Sequence, residues 1–499
     1  MALRDMGTLV TINQQTLGTY TFKAGKLRIY GTGGHSFYED DGSGGYNSPA
    51  GDHGTLSFAS GAYTYSGPDG RTWHFNGSGY LTKEVSADSY ETVSYSYDGS
   101  NNLNKVETAD GGVATITYSS GLASTIQSTA GTVTLTYSSG DLTKVEDPDG
   151  GVRTFTYDAN ARVTKDQYGE TQSTFAYSQG ALSSWTDGDS SAGEGITNQI
   201  TPQIIQSLNT LSPGEQLSEV TDAAGNVFRL QMDQEGRTVK MILPTGDTTQ
   251  WTRDSNGWVT GVEDGLGRKT TITRDSAGYP TKIEDPTGND TDFTYQGAFH
   301  ALTSRTDANG KTYSYTYDGT YGHLLTITDP NGDIVTMTWA NGLLQTITDA
   351  RGNVSTSAYD SLRRFSNATD PESGVQTATY SGGNISTRVD EEGRTTTYQH
   401  DGFGRVTQRT DPDGSIWQWA YNSAGLLSLI TDPNGIKTSF DHNSFGQISQ
   451  RVDGVGTASQ KTTLFSYNNL GQLTSQRDSN GNWTDFSYDA SGRLTSQTS

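Results

Sequence analysis

The 499-residue chain has no cysteine. That excludes a disulfide framework, a thiol nucleophile and cysteine-ligated metal, and leaves the redox compartment open. Positive charge is scarce: 33 Lys and Arg stand against 56 Asp and Glu, a net charge of -23. Neutralising phosphates requires clustered Lys and Arg, so nucleic acid is excluded as a partner. Hydrophobic residues make up only 31%, and no stretch approaches the ~18 consecutive apolar residues of a membrane helix, so no membrane span is expected. The opening MALRDMGTLV lacks the charged start and apolar core of a signal peptide. Catalytic signatures are missing too. There is no H-E-x-x-H, no G-x-S-x-G and no phosphate loop.

What is present is glycine, 61 residues of it, and a repeat. Aspartates recur about every 21 residues at Asp222, Asp264, Asp285, Asp307, Asp329, Asp349, Asp370, Asp390, Asp411, Asp432, Asp453 and Asp478, with one position near Leu243 lacking its aspartate. A fixed period of this size means a repeat architecture. Each unit has two turns. One is Asp-Pro-x-Gly, as in Asp432-Pro433-Asn434-Gly435, where aspartate bonds backbone two residues on, proline presets φ and glycine accepts φ > 0. The other follows Tyr-Asp, as in YDANARV from Tyr157 and YDASGRL from Tyr488.

Between the turns lie two short segments. The first alternates: Tyr313, Tyr315 and Tyr317 share one face, as do Trp417, Trp419 and Tyr421. Period two in aromatic and β-branched residues, bounded by Gly, Pro, Asn and Asp, is a strand signal. The second alternates less well, because Leu142 and Val145, like Leu344 and Ile347, are three apart. A bulge there, or a leucine packed from the turn, is expected.

The pattern Y-D-x-x-G-R-L-T-x-x-x-D-P-x-G resembles that of the Rhs or YD-repeat family, over roughly residues 75 to 499. The family includes bacterial polymorphic toxins, shell-forming subunits of insecticidal toxin complexes and teneurins. The resemblance implies an all-β ribbon, here of about 17 to 18 units of ~21 residues, spiralling into a hollow shell or open arc. At two strands per unit and ~4.8 Å per strand, the ribbon would be ~170 Å long. Closed once it would be ~55 Å across, so about one turn is expected. In self-cleaving members a segment opening with D-P-x-G-L follows the repeats. Here Gly435 is followed by Ile436-Lys437 and another ordinary unit, so no cleavage residues carry over.

Four regions are expected: a β lead-in at 1–74, a first repeat array at 75–187, an insertion at 188–221 and a second array at 222–499. The insertion shows as 35 residues between Asp187 and Asp222 where about 21 are due. Within it Thr201-Pro202 reads as a helix N-cap and first helical position. Ile200, Ile204, Ile205, Leu208 and Leu211 share a helical face, predicting a short helix near 202–211 that packs on the sheet. A four-residue excess between Asp453 and Asp478 marks an expanded turn, GVGTASQKTT. Ser499 falls inside a repeat, so the chain reads as a piece of a longer protein.

Glu39, Asp40 and Asp41 with His35 and His53 can be drawn as a metal site, but their spacing fits neither a calcium loop nor a zinc motif, so a solvated glycine-rich loop is expected. His300, His323, His400 and His442 sit at or beside turns and are expected to be exposed. No catalytic, cofactor-binding or metal residue is assigned, and no cofactor is implied. The reading is a non-enzymatic shell segment, secreted or at the cell surface, that encloses or presents a toxin or other protein cargo encoded outside this chain. A surface adhesin binding a carbohydrate or cell-surface ligand through its aromatic rows is the first alternative. An enzyme scaffold is the second. Covered rows favour the shell, and exposed clusters in a groove favour sugar binding.

Overall fold

The computed structural model describes residues 8–499, apart from 13, 14, 18, 19, 23, 31–33, 50, 51, 53, 190–194, 202–215, 234–236, 298, 469, 490 and 491. Every regular element among the described residues is a β-strand. From Thr55–Ala59 to Leu494–Thr498, 42 strands form one antiparallel ribbon in which each pairs with its neighbours in sequence. No ladder between described residues joins the first of these strands to the last, so the ribbon is open.

The unit is a hairpin with a bulge. Thr316 pairs with Thr326, but Tyr317 pairs with Leu324, so Leu325 is the extra residue. The same shift separates Thr136↔Lys144 from Tyr137↔Leu142. It brings Leu142 and Val145 onto one face, which explains their spacing of three. Bulges add twist and bend, and here one recurs in nearly every unit.

Curvature brings the ribbon back onto itself. Asp88 meets His323, Asp149 meets Arg405, and the Asp189 N–H meets Ser444, pairs separated by 235, 256 and 255 residues. About 22 strands lie between such partners, so a circuit is ~105 Å round and ~35 Å across. The chain therefore makes nearly two circuits, not the single wide turn expected. Strand number and spacing fix only the length; the radius follows from the bulges.

The wall is one sheet thick. The chain exposes 28175 Å², against the ~18,000 Å² that surface scaling gives a compact protein of 53.6 kDa. Along strand Ile416–Tyr421, Ile416, Gln418 and Ala420 are exposed while Trp417, Trp419 and Tyr421 are half-buried. The buried cluster lies instead at the start of the ribbon. There Leu56, Tyr63, Tyr65, Phe75 and Leu81 join Tyr38 of strand Gly34–Asp40, which belongs to a separate four-stranded sheet. Asp52 accepts hydrogen bonds from the hydroxyls of Tyr38 and Tyr65, and Arg28 lies 3.8 Å over the Tyr65 ring. Burial pushes the Tyr65 phenol up to about 12.

The helix expected near 202–211 is not borne out. Residues 202–215 lie outside the described residues, and Ile200 and Thr201, assigned to that helix and its cap, are in strand Ile196–Thr201. Ile200 pairs with Val220, and ladders on both sides carry the ribbon through this region without a break.

Candidate functional site at the seam between circuits

The site is built from one kind of five-residue loop. In the Asp-Pro-x-Gly turn at Asp329, the carboxylate Oδ1 accepts the N–H groups of Asn331 and Asp333 at 2.8 and 2.9 Å. Gly332 has φ 89° and donates its N–H to the Asp329 carbonyl. The Tyr-Asp turn at Asp158 has the same geometry, with Asn160 and Arg162 N–H groups on Oδ1. In addition the Arg162 Nε donates to Oδ2 at 2.8 Å, and its guanidinium lies 4.4 Å over Tyr177 of the next unit. Arg364 over Tyr380 and Arg405 over Tyr421, both at 4.3 Å, repeat this contact. It gives the arginine of the motif its role.

Most of these tyrosines also tie their unit to the one before. The ladder from strand Thr312–Tyr317 back to Leu302–Thr306 begins at Ser304, which leaves the Leu302 carbonyl beyond it. The Tyr317 hydroxyl donates to that carbonyl at 2.8 Å. Tyr118 to Leu103, Tyr157 to Leu142, Tyr380 to Phe365 and Tyr421 to Val406 do the same. Where tyrosine is replaced, another donor serves: Trp339 Nε1 reaches Leu324, Arg253 reaches Thr238 and Arg274 reaches Val259. Inspection of single motifs missed this rung; its signal is the recurring separation of 15 residues.

At the seam, Asp-Pro-x-Gly-type turns of the first circuit meet Tyr-Asp-type turns of the second. Arg405 Nη2 donates to Asp149 Oδ2 at 2.7 Å, and the Asp189 N–H donates to Ser444 Oγ at 2.7 Å. Gly188 has φ 82°, and a Cβ there would run into the Phe445 ring. Two cavities flank this point. One of about 510 Å³ is lined by Arg153, Asp166, Tyr168, Asp187, Ser444 and Phe445. The other, about 460 Å³, is lined by residues including Glu170, Asp189, Asp441 and His442. Arg153 and Asp166 pair with each other, Nε to Oδ1 at 2.7 Å. Burial raises the Asp147 carboxyl above its usual range, opposed by a hydrogen bond from Tyr168.

Residues flagged by sequence fall mostly into structural roles. Asp41 Oδ1 accepts the N–H groups of Ser43 and Gly45, an arrangement of a closed polar loop. His53 lies outside the described residues, and no group of three metal-binding side chains occurs among the described residues. The histidines are not exposed as expected: His300, His323, His400 and His442 are all partly covered. His300 stacks on Tyr279 at 4.8 Å, and His323 lies in the seam. In the expanded turn, Val455 donates its N–H to the Lys437 carbonyl and Gly456 donates to Gln460 Oε1.

The RHS Repeat family matches residues 137–174, 381–416, 421–458 and 462–499, and the Teneurin YD-shell family matches residues 203–382. No curated protein matches the chain. Among solved structures it is similar to TcdB2-TccC3, at 12% identity over 98% of this chain and 36% of that one, with a TM-score of 0.40. It is similar to TcdB2-TccC3-Cdc42 at 12% identity over 96% and 32%, TM-score 0.38. The Photorhabdus luminescens Tc holotoxin pore gives 11% identity over 99% and 35%, TM-score 0.28. The chain spans about a third of the length of these proteins.

Proposed function

The chain belongs to the Rhs and YD-repeat family, and from that membership we propose that it is a non-enzymatic shell segment that encloses or presents a cargo, such as a toxin domain encoded outside this chain. The observation that carries this reading is a single-layered ribbon stacked on its own earlier circuit. On a curved sheet, side chains converge on the concave face, so the half-buried aromatic rows suit the inner wall and the exposed Thr, Ser and Gln rows the outer one. With ~5 Å of side chain on each wall, a ~35 Å circuit leaves a lumen ~25 Å wide. That admits extended polypeptide more readily than a folded 100-residue domain, whose radius of gyration alone is ~13 Å. A secreted or cell-surface location goes with this role, as does the division into a lead-in at 1–74 and arrays at 75–187 and 222–499 joined through 188–221. No helix among the described residues is long and apolar enough to cross a membrane.

The test is to express the chain together with its neighbouring coding sequence. A cargo should copurify and resist added protease until the shell is denatured. A neighbour product that is cleaved as fast as it is alone would contradict enclosure. The adhesin reading draws on the stacked pair Trp417 and Trp419, 6.5 Å apart. A glycan array on the purified chain separates the two, with no binding expected for a shell.

A further inference from the structure

Seven glycines of the chain follow an asparagine: Gly77, Gly257, Gly310, Gly332, Gly342, Gly435 and Gly481. In Asn-Gly a backbone nitrogen can attack the side-chain amide before it, because glycine puts no Cβ in the way. The attack needs a glycine N–H free to lose its proton and an asparagine side chain free to turn back on it. Five of the seven are held against it: Gly257, Gly310, Gly332, Gly435 and Gly481 donate their N–H to the carbonyl of their loop's first aspartate, at 2.9 to 3.1 Å. In a sixth, Asn76 heads the loop itself, and its side-chain oxygen accepts the N–H groups of Ser78 and Tyr80, both at 3.0 Å. Asn341-Gly342 is different. It joins strands Ile334–Ala340 and Leu343–Thr348 as a two-residue turn with φ 52° and 73°, the left-handed pair of a type I′ hairpin. There the pairing is made by Ala340 and Leu343 on either side, and the Gly342 N–H donates to no group among the described residues. The Asn341 side chain is exposed and likewise bonded to none of them.

The main-chain carbonyl of Asn341 accepts Arg363 Nη1 at 2.7 Å. When the Gly342 nitrogen loses its proton, the charge spreads onto that carbonyl oxygen, where a guanidinium stabilises it. Asp88 and Tyr90 of the first circuit lie against Gly342, since a Cβ there would come within 2.6 Å of the Asp88 carboxylate and 2.8 Å of the Tyr90 ring. The Asp88 carboxylate opposes the charge from the glycine side; the guanidinium sits on the atom that carries it. We propose that Asn341 is a self-modification site at the seam. The Gly342 nitrogen bonds to the side-chain carbonyl carbon of Asn341, and the side-chain nitrogen leaves with the proton as ammonia. One water then opens the succinimide, giving aspartate at one carbonyl and isoaspartate at the other, with no oxidant or further reactant. Either product adds a negative charge beside Asp88. Isoaspartate also adds a methylene to the main chain of a turn only two residues long. Because that turn seats on the first circuit, the change falls on the contact between circuits, whatever the shell encloses.

To test this, the purified chain is kept in mildly alkaline buffer and digested, and each Asn-Gly peptide is followed by mass spectrometry for a gain of one mass unit. In the folded chain Asn341 should lead the other six asparagines severalfold. In urea the lead should vanish, because the seven dipeptides then differ little. Arg363→Gln should slow Asn341 alone, and Arg363→Lys, which keeps the charge, should recover part of the rate. The folded and unfolded parent decide the matter if neither variant folds. Equal rates in the folded chain, a lead held by another asparagine, or a lead that persists in urea would overturn the proposal, as would a folded Arg363→Gln chain that modifies Asn341 at the parent's rate.

Discussion

One carboxylate organises each loop. Asp329 takes two backbone N–H groups while Gly332 turns the chain at φ 89°. A Cβ on Gly332 would meet nothing within 4 Å, so the cost of Gly332→Val is conformational. It should lower stability by about 1 kcal/mol or more, as a left-handed β-branched residue requires; a denaturation midpoint equal to the parent's would refute the turn geometry. The loop aspartates also set an acid limit. Asp285 is held below the usual carboxylate range by the Thr287 hydroxyl and the Asn289 side chain and N–H, Asp349 by the Asn353 side chain and N–H, and Asp478 by those of Asn482. The unfolded chain therefore binds more protons as the medium is acidified. Their contribution is complete above the ordinary aspartate value near ~4 and is lost below it. The melting temperature should fall steeply between about pH 4 and pH 2, and a flat profile there would show that the loops do not hold their protons off. The turn residues were legible in sequence because the chemistry is local, from Asp329 to Asp333. The coverage of His323 was not, because it comes from the ring of Trp339 in the next strand pair, stacked at 4.8 Å, and from Asp88, 235 residues away.

The strand pair with its bulge is the working element, and the tyrosine rung joins one pair to the next. Tyr421→Phe removes the donor to the Val406 carbonyl at 3.0 Å. It should cost about 1–2 kcal/mol by leaving that acceptor unmade. Tyr421→Arg should cost no less, because Arg253 and Arg274 serve the same carbonyl position but the Arg405 guanidinium, 4.3 Å over the Tyr421 ring, would then face a second guanidinium. Chemical denaturation of both variants checks the order. Alternation in Trp417, Trp419 and Tyr421 made the strands readable, and the spacing of Leu142 and Val145 made the bulge readable. The segment at Ile200 misled. Its apolar residues also fit a helical period, yet pairing on both sides, to Trp185 through Asn198 and to Val220, places Ile196–Thr201 in the ladder. Partners in the sheet override local preference. The rung escaped notice because it joins two units and needs the register to be seen.

For the whole molecule, the sequence sets the ribbon's length, and the contacts between circuits set its shape. The seam is packed closely enough for one methyl group to matter. Gly188→Ala places a Cβ against the Phe445 ring and should displace it. Amide exchange should then quicken in the turn 443–447 while strands far from the seam keep their protection, since stability in repeat arrays is mostly a neighbour effect. Unchanged exchange in that turn would show that the circuits do not bear on each other there. The most direct measurement joins the circuits covalently. Asp189→Cys with Ser444→Cys introduces the chain's only two thiols where a backbone N–H and a side-chain hydroxyl now lie 2.7 Å apart. Two stacked circuits predict a disulfide within the monomer, linking residues 255 apart, while Asp189→Cys with Asn331→Cys, about half a circuit away, stays unlinked. Failure of the first pair to close, or closure of both pairs in equal yield, would contradict the wound ribbon.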